Sequence, residues 1–245
     1  MKKLLVLLLS MVLFVSSFGA KKLYVGTNAE FKPYEYLEGD KIVGFDIELM
    51  EAIAEELGYT VKWNNMSFDG LLPALQMGKI DAVIAGMGPT EERLKAVDFS
   101  KPYLNFQTGD AVVVNENETV IVKKENLDGK TVGVQLGTKQ EEVSKKLGAN
   151  IVRYDSFTGA LMALKQNKIN AVVVDAQVAE NYLKNIKGVK VTDTIFNDTP
   201  GESIAVKKGN KKLADDINKA FDAIVANGTY EKILVKYFPE KKLNK

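Results

Sequence analysis

The stretch Ile80–Tyr103, IDAVIAGMGPTEERLKAVDFSKPY, combines an apolar run, a glycine-rich turn and the start of a charged helix. The apolar run is typical of a strand that is covered on both faces in a mainly parallel sheet. Gly86 and Gly88 let the backbone turn and approach a ligand closely, and Thr90 is the predicted N-cap of the helix. Arg93 stands in the first helical turn, where its guanidinium and free backbone N–H groups would bind a carboxylate or phosphate.

The same local pattern also fits a structure without a ligand. A strand, a capped turn and an amphipathic helix would produce it, with Arg93 pairing only with Glu91 or Asp98. The stretch alone fits both interpretations, and the rest of the chain decides between them.

A second copy of the pattern occurs 89 residues later. Segment 74–86 is ALQMGKIDAVIAG and segment 163–175 is ALKQNKINAVVVD, so each copy holds a helix end, a short turn and a buried strand. Gly86 and Asp175 occupy the same place at the two strand ends. Repeated alternation of strands and helices predicts an α/β fold with two parallel-sheet lobes. A cleft between them would be lined by the carboxyl ends of the strands.

The predicted organisation has a leader segment and two lobes that are not contiguous in sequence. Residues 1–20 have two lysines, an apolar core too short to span a bilayer, and then small residues, which is the form of a cleaved secretory signal peptide. We predict lobe 1 over 21–105 and 201–245, and lobe 2 over 106–200. Extended crossovers near 103–109 and 198–203 would form a two-strand hinge.

The composition excludes several classes of function. Lys plus Arg number 33 and Asp plus Glu number 32, so no basic excess points to nucleic acid. The chain has no Cys and no His, which excludes Cys nucleophiles, Ser-His-Asp triads and the usual zinc ligand sets. We therefore predict neither a metal nor a cofactor.

Longer motifs extend over nearly all of the chain after residue 20. They include FKPYEY at 31–36, GFDIELMEAIAEELG at 44–58 and NGTYEKILVKYF at 227–238. In these motifs the chain resembles the polar amino acid-binding proteins of ABC importers, a group that includes glutamine-binding and lysine/arginine/ornithine-binding proteins. The resemblance implies the type II periplasmic binding protein-like fold. It also implies a periplasmic protein, with delivery as a monomer, that closes over one free L-amino acid and passes it to a permease in the inner membrane.

The resemblance also assigns roles to positions of this chain. Arg93 would hold the ligand α-carboxylate, assisted by backbone N–H groups at Gly88 and Thr138. Asp175 of the other lobe would hold the α-ammonium, and a lone carboxylate after a buried strand would be costly without such a cation. The remaining positions that would face the ligand, or lie near it, are Asn28, Phe31, Phe68, Ala85, Gly86, Gln135, Lys139 and Gln140.

Two departures from the family pattern bear on the ligand. Position 88 is usually Ser or Thr and is Gly here, so one side-chain hydroxyl is missing. Position 28 is Asp in both glutamine-binding and cation-binding members and is Asn here, which weakens the case for a cationic side chain. Because Asn28 and Gln135 can each donate and accept hydrogen bonds, we expect a neutral polar ligand such as glutamine or asparagine.

Two alternatives belong to other classes of protein. One is a dehydratase on the same scaffold, which would hold prephenate or arogenate through Arg93 and use Asp175 or Glu30 as the acid. The other is the sensor domain of a receptor or channel, which would need a membrane segment after lobe 2, whereas this chain ends in FPEKKLNK. We expect a binding protein, not an enzyme.

Overall fold

The computed structural model describes residues 21–106, 109–196 and 200–241. The predicted signal peptide at 1–20 and parts of both predicted crossovers lie outside these residues. The described chain forms two five-stranded sheets flanked by helices, and one small three-stranded sheet. The α/β fold class is therefore as predicted. No helix in these three ranges has the length and hydropathy needed to cross a bilayer.

The elements follow one another in three groups along the chain. The first group is β1 Lys21–Thr27, β2 Glu30–Phe31, β3 Glu35–Glu38, β4 Lys41–Val43, α1 Phe45–Glu56, β5 Tyr59–Asn65, α2 Phe68–Gln76, β6 Ala82–Val83, α3 Glu91–Ala96 and β7 Val97–Phe99. The second is β8 Asp110–Asn115, a 3₁₀ turn at Lys124–Leu127, β9 Thr131–Gln135, α4 Lys139–Lys146, β10 Asn150–Tyr154, α5 Phe157–Lys165, β11 Ala171–Asp175, α6 Ala176–Leu183 and β12 Val189–Ile195. The third is β13 Ala205–Lys207, α7 Lys211–Ala226 and α8 Thr229–Tyr237.

The first sheet has the strand order β5-β1-β6-β13-β7, and β1 runs parallel to both β5 and β6. Helices α1 and α2 contact it, and α7 and α8 pack on α1. We call this sheet, the small sheet β2-β3-β4 and these helices, together with α3, the first lobe. It combines strands from before residue 100 with β13 near the end of the chain. The exact lobe boundaries, at 105/106 and 200/201, stay a prediction.

The second sheet has the order β10-β9-β11-β8-β12, and β9 runs parallel to β10 and β11. We call this sheet and helices α4 to α6 the second lobe. Each large sheet is mixed, not purely parallel, because β13 and β8 run antiparallel to their neighbours. A parallel neighbour needs a helical crossover. Strands β8 and β13 instead follow the segments that cross between the lobes, so each enters its sheet in the opposite direction.

The predicted internal repeat is present in the structure. Helix α2 leads into β6 beside β1, and helix α5 leads into β11 beside β9. The ladder of β6 covers only two residues, Ala82 and Val83, although Ile84 N still donates to Gly26 O at 3.1 Å. Thr90 is the N-cap of α3, since its hydroxyl accepts a hydrogen bond from Arg93 N at 3.2 Å.

The two crossovers lie side by side where they are described. Tyr103 N donates to Glu202 O and Glu202 N donates to Leu104 O, both at 2.8 Å, and this forms an antiparallel bridge. Gly201 beside it has a φ of +92°, and a Cβ there would lie 2.4 Å from Leu104 O. The bridge therefore requires glycine at 201. That the paired crossovers act as a hinge stays a prediction.

Candidate functional site

A cavity with about 430 Å³ of empty space lies between the lobes, at the carboxyl ends of β1, β9 and β11. The structure brings together on its wall all twelve residues that were predicted to face the ligand or lie near it: Asn28, Phe31, Phe68, Ala85, Gly86, Gly88, Arg93, Gln135, Thr138, Lys139, Gln140 and Asp175. Which of them touch a ligand stays a prediction.

Three further residues of the lining were not predicted. They are Glu35, Phe157 and Glu202. Phe157 was accessible to sequence reasoning, because FTG at 157–159 repeats FDG at 68–70 and both phenylalanines begin a helix. Glu202 lies in an irregular crossover, where no periodic pattern indicates which way a side chain points.

Arg93 connects the two lobes across the cavity. Its Nη1 donates to Gly88 O at 2.8 Å in its own lobe, and its Nη2 donates to Gly137 O at 3.0 Å in the second lobe. The guanidinium lies over the ring of Phe68, 5.4 Å from its centroid. Burial lowers the pKa of Arg93, while nearby acids, Glu202 first among them, act in the opposite direction. Asp98 pairs with Lys208 at 2.7 Å instead of with Arg93.

Asp175 lies at the end of β11 and is the N-cap of α6. Its Oδ1 accepts hydrogen bonds from Gln177 N at 2.9 Å and Val178 N at 3.2 Å. Burial raises the pKa of Asp175 to about 6, although Lys139 and these N–H groups pull it down. The helix end therefore already stabilises this carboxylate, so its burial does not by itself require a ligand cation.

Asn28 and Gln135 meet across the cleft. Gln135 Nε2 donates to Asn28 Oδ1 and to Asp155 O, both at 3.0 Å, and Asn28 Nδ2 donates to Met66 O at 2.9 Å. Both amide hydrogens of Gln135 are therefore used, while its Oε1 accepts no hydrogen bond from the described residues. Phe31 lies nearby, with its ring centroid 5.8 Å from that of Phe157. This end of the cavity offers an acceptor and aromatic surfaces.

A pair of carboxyl groups lies under the strand end at Gly86. Asp46 Oδ2 accepts hydrogen bonds from Gly86 N and from Tyr103 Oη, both at 2.8 Å. Burial raises the pKa of Asp46 to about 6. Burial and the adjacent Asp46 raise the pKa of Glu35 well above its ordinary value. Each group therefore holds its proton to a higher pH than it would in water.

The cavity holds a further acid and a further cation. Burial raises the pKa of Glu202 to about 8, with Lys139 opposing the shift. Burial would lower the pKa of Lys139, but Glu202, Asp110 and Asp175 outweigh it, and the net shift is upward. Lys139 is therefore a charged, half-buried residue of the cavity wall. No cluster of metal-ligating side chains occurs in the described parts of the chain.

The model of the family of bacterial extracellular solute-binding proteins, family 3, matches residues 23–240. This chain belongs to that family. The predicted family and fold are thereby confirmed, and the two lobes have the architecture of its type II binding proteins.

Several similar proteins have names that refer to arginine. The arginine-binding extracellular protein ArtP of Bacillus subtilis (strain 168) is 38% identical over 234 residues, which cover 93% of this chain and 90% of that protein. A structure of an ancestral arginine-binding protein bound to glutamine has 46% identity and a TM-score of 0.83, covering 89% of this chain and 97% of the other. A structure of an ancestral arginine-binding protein bound to arginine has 46% identity and a TM-score of 0.82, covering 89% and 98%.

This family member is an amino acid-binding protein for ABC transport, which confirms the predicted function in its general form. The prediction that it is not an enzyme is also confirmed, because the named relatives are binding proteins. The dehydratase alternative finds no support among them. The expectation of a neutral polar ligand is not confirmed.

Proposed function

We propose that this protein captures an L-amino acid with a cationic side chain, arginine foremost, between its lobes and delivers it to an ABC permease. Delivery as a monomer in the periplasm, after removal of residues 1–20, belongs to the same proposal. The observation that carries the choice of ligand is the excess of carboxyl groups. Glu35, Asp175 and Glu202 line the cavity against two cations, Arg93 and Lys139.

The protonation of these acids points to the same ligand. Asp46 and Asp175 have pKa values near 6 and Glu202 has one near 8, because burial outweighs the nearby cations. Burial in the cavity therefore keeps protons on groups that would be ionised in water. A zwitterion adds no net charge, whereas an amino acid with a cationic side chain adds the positive charge that the cavity lacks.

The side-chain end of the cavity also suits a guanidinium. A guanidinium has five N–H donors and no acceptor. Gln135 presents Oε1 as an acceptor while both of its own N–H groups are bound to Asn28 and Asp155. The rings of Phe31 and Phe68 offer flat surfaces on which a planar cation stacks well. The loss of a carboxylate at position 28 is offset by the other acids of the lining.

The α-groups of the ligand would join the two lobes. Arg93 of the first lobe would take the carboxylate, and Asp175 of the second would take the ammonium. A ligand that finds both partners only in the closed form shifts the population toward closure. Arg93 has donors to share, since two hydrogen bonds to backbone oxygens use only part of its guanidinium.

A neutral amide ligand is the second candidate. Asn28 supports it, because an uncharged amide offers no counter-charge to a cationic side chain. Glutamine in one of the similar structures supports it as well. The two candidates differ in the charge of the side chain and can be separated by one screen.

The test is a thermal-shift screen of the protein without residues 1–20 against the twenty amino acids, followed by calorimetry of those that stabilise it. We expect arginine to give the largest shift and the lowest Kd, and Arg93→Ala to respond to none. Stabilisation by glutamine or asparagine but not by arginine, lysine or histidine would overturn the cationic assignment. No response to any amino acid would overturn the proposed function itself.

A further inference from the structure

Glu202 lines the cavity from a crossover between the lobes. Its backbone is fixed by the bridge to Leu104, and this pairing does not depend on the side chain. Its carboxyl group faces the cavity and makes no hydrogen bond or ion pair with the described residues. A carboxyl group that is partly removed from water without a partner is costly. The fold alone therefore does not explain an acid at this position.

The carboxyl group of Glu202 lies beside Gly88. A Cβ at position 88 would lie 3.5 Å from Glu202 Oε2 and 2.7 Å from Gly201 O. Position 88 thus has no room for a side chain without a backbone shift, and an acidic oxygen stands beside the site instead. The Gly88 carbonyl accepts from Arg93 Nη1 at 2.8 Å, so this oxygen lies at the end of the cavity that would hold the α-groups of a ligand.

The α-ammonium of an amino acid has three N–H donors to satisfy. Asp175 is the assigned partner, but its Oδ1 already accepts two backbone N–H bonds from α6. Asp175 and Glu202 are close enough for the charge of the first to act on the second. Two acceptors on different segments would hold an ammonium better than one.

We propose that Glu202 accepts a hydrogen bond from the α-ammonium of the bound amino acid, beside Asp175 and next to Gly88. The inference rests on the proposed function, because it presumes an amino acid in this cavity. It adds a specificity-determining residue that requires the ammonium group whatever the side chain of the ligand. Since Glu202 stands on the crossover, the contact also connects the ligand to the segment that joins the lobes.

The proposal predicts the release of a proton on binding. The titratable groups that face Glu202 from the neighbouring elements are Glu35, Asp46, Arg93, Lys139 and Asp175, with the phenols of Tyr34 and Tyr103. Near pH 7.5 the two cations stay charged and the phenols, whose pKa values are raised, stay neutral. Asp46 and Asp175 titrate near pH 6. Glu202, with a pKa of about 8, is mainly protonated and would lose its proton to an ammonium partner.

The experiment is calorimetry of arginine binding at pH 7.5 in phosphate and in Tris, whose different ionisation enthalpies give the number of protons released. Each protein is also titrated with 5-guanidinopentanoate, which is arginine without its α-ammonium. For Glu202→Gln we expect roughly tenfold weaker arginine binding, as for the loss of one charged hydrogen bond. We also expect the variant to release fewer protons than the wild type. Its affinity for the analogue should stay within about twofold of that of the wild type, because the analogue has no ammonium group to interact with position 202. Glu92→Gln is the matched control, because Glu92 is an exposed acid near Arg93 that is not part of this lining.

The outcomes are separable. Equal losses of affinity for arginine and for the analogue would overturn the ammonium contact, and so would wild-type affinity and proton release in Glu202→Gln. Thermal unfolding checks that the variant folds. If Glu202→Gln does not fold, Glu202→Asp is tested instead, because it keeps the carboxyl group on a shorter side chain. This variant should still release a proton when arginine binds, and its loss of affinity relative to the wild type should be larger for arginine than for 5-guanidinopentanoate. A wild-type protein that binds no amino acid would overturn the proposed function, and this inference with it.

Discussion

Arg93 and Asp175 each have a structural task besides the one proposed for the ligand. Arg93 donates to a backbone oxygen in each lobe, and Asp175 caps α6. A substitution at either position can therefore change folding or lobe contact as well as binding. Informative variants must remove the charge and keep the other contact.

Asp175→Asn is the variant that makes this separation. Asn is as good an N-cap as Asp, so α6 should keep its cap while the site loses its charge. Removing this charged partner of the ammonium costs about 3–5 kcal/mol, which lowers affinity by roughly two to four orders of magnitude. Asp175→Ala should lose the same affinity and also about 1 kcal/mol of stability with the cap. Calorimetry and thermal unfolding of both variants check this. Near-normal affinity in Asp175→Asn would contradict the role assigned to it.

The cavity residues that directly follow strands could be predicted from the sequence. Those whose place depends on distant segments could not. Arg93 and Asp175 come after buried strands with a glycine-rich turn or a repeat partner, and these signals are local. Glu202 enters the cavity because its segment lies beside Leu104 and Gly88, and this neighbourhood exists only in the folded chain. The Asn28–Gln135 pair likewise joins residues that lie 107 positions apart, so the sequence alone does not show which hydrogen bonds the two side-chain amides make.

At the scale of elements, periodic segments were located well and short ones were not. The repeated segments 74–86 and 163–175 each hold a helix end, a turn and a buried strand as predicted, because their patterns are clearly delimited. Strand β6 is shorter than its apolar run. The antiparallel direction of β8 and β13 could not be predicted, since the sequence of a strand does not encode the end from which the chain enters the sheet.

Helix α6 carries a contact that should slow ligand release. Tyr182 Oη donates to Glu30 O at 2.7 Å, which joins α6 of the second lobe to β2 of the first. Tyr182→Phe removes this bond and should speed dissociation by roughly fivefold, in line with about 1 kcal/mol for one hydrogen bond. The association rate should change little. Rapid filtration of labelled ligand measures both rates.

Tyr237→Phe is the matched control for this element. Tyr237 Oη donates to Glu48 Oε1 at 2.6 Å, and both residues belong to the first lobe. Its loss should lower the midpoint of unfolding and leave the dissociation rate unchanged. Equal dissociation rates for wild type and Tyr182→Phe would mean that the contact across the cleft does not resist opening.

At the scale of the whole molecule, the two lobes are held together by contacts of different kinds around one acidic cavity. Hydrogen bonds across the cleft include Arg93 to Gly137, Gln135 to Asn28 and Tyr182 to Glu30. These bonds favour the closed form. The buried acids oppose it once they ionise, because closure removes them from water. The balance between the lobes should therefore depend on pH in a direction that the pKa shifts determine.

We expect the ligand-free protein to lose stability as pH rises from about 5 to 8. The pKa of Glu202 moves from 4.5 to about 8 on folding, and those of Asp46 and Asp175 move from 3.8 to about 6. Between these values the native state binds more protons than the unfolded state, so the free energy of unfolding falls with rising pH. Acids with lowered pKa values, such as Asp98 and Glu141, are ionised in both states throughout this window and leave the trend unchanged.

Thermal unfolding at intervals from pH 5 to 8.5 measures the trend, and Glu202→Gln identifies the part due to this residue. The variant cannot ionise at position 202, so its midpoint should fall less steeply than that of the wild type above pH 6.5, where the two aspartates are already ionised. Saturating arginine should raise the wild-type midpoint most at the upper end of the range, because the ligand supplies the cation that the ionised cavity needs. A wild-type midpoint that rises from pH 5 to 8 without ligand would show that ionisation of the buried acids does not destabilise the protein. A curve for Glu202→Gln that runs parallel to that of the wild type would show that Glu202 does not contribute to the trend.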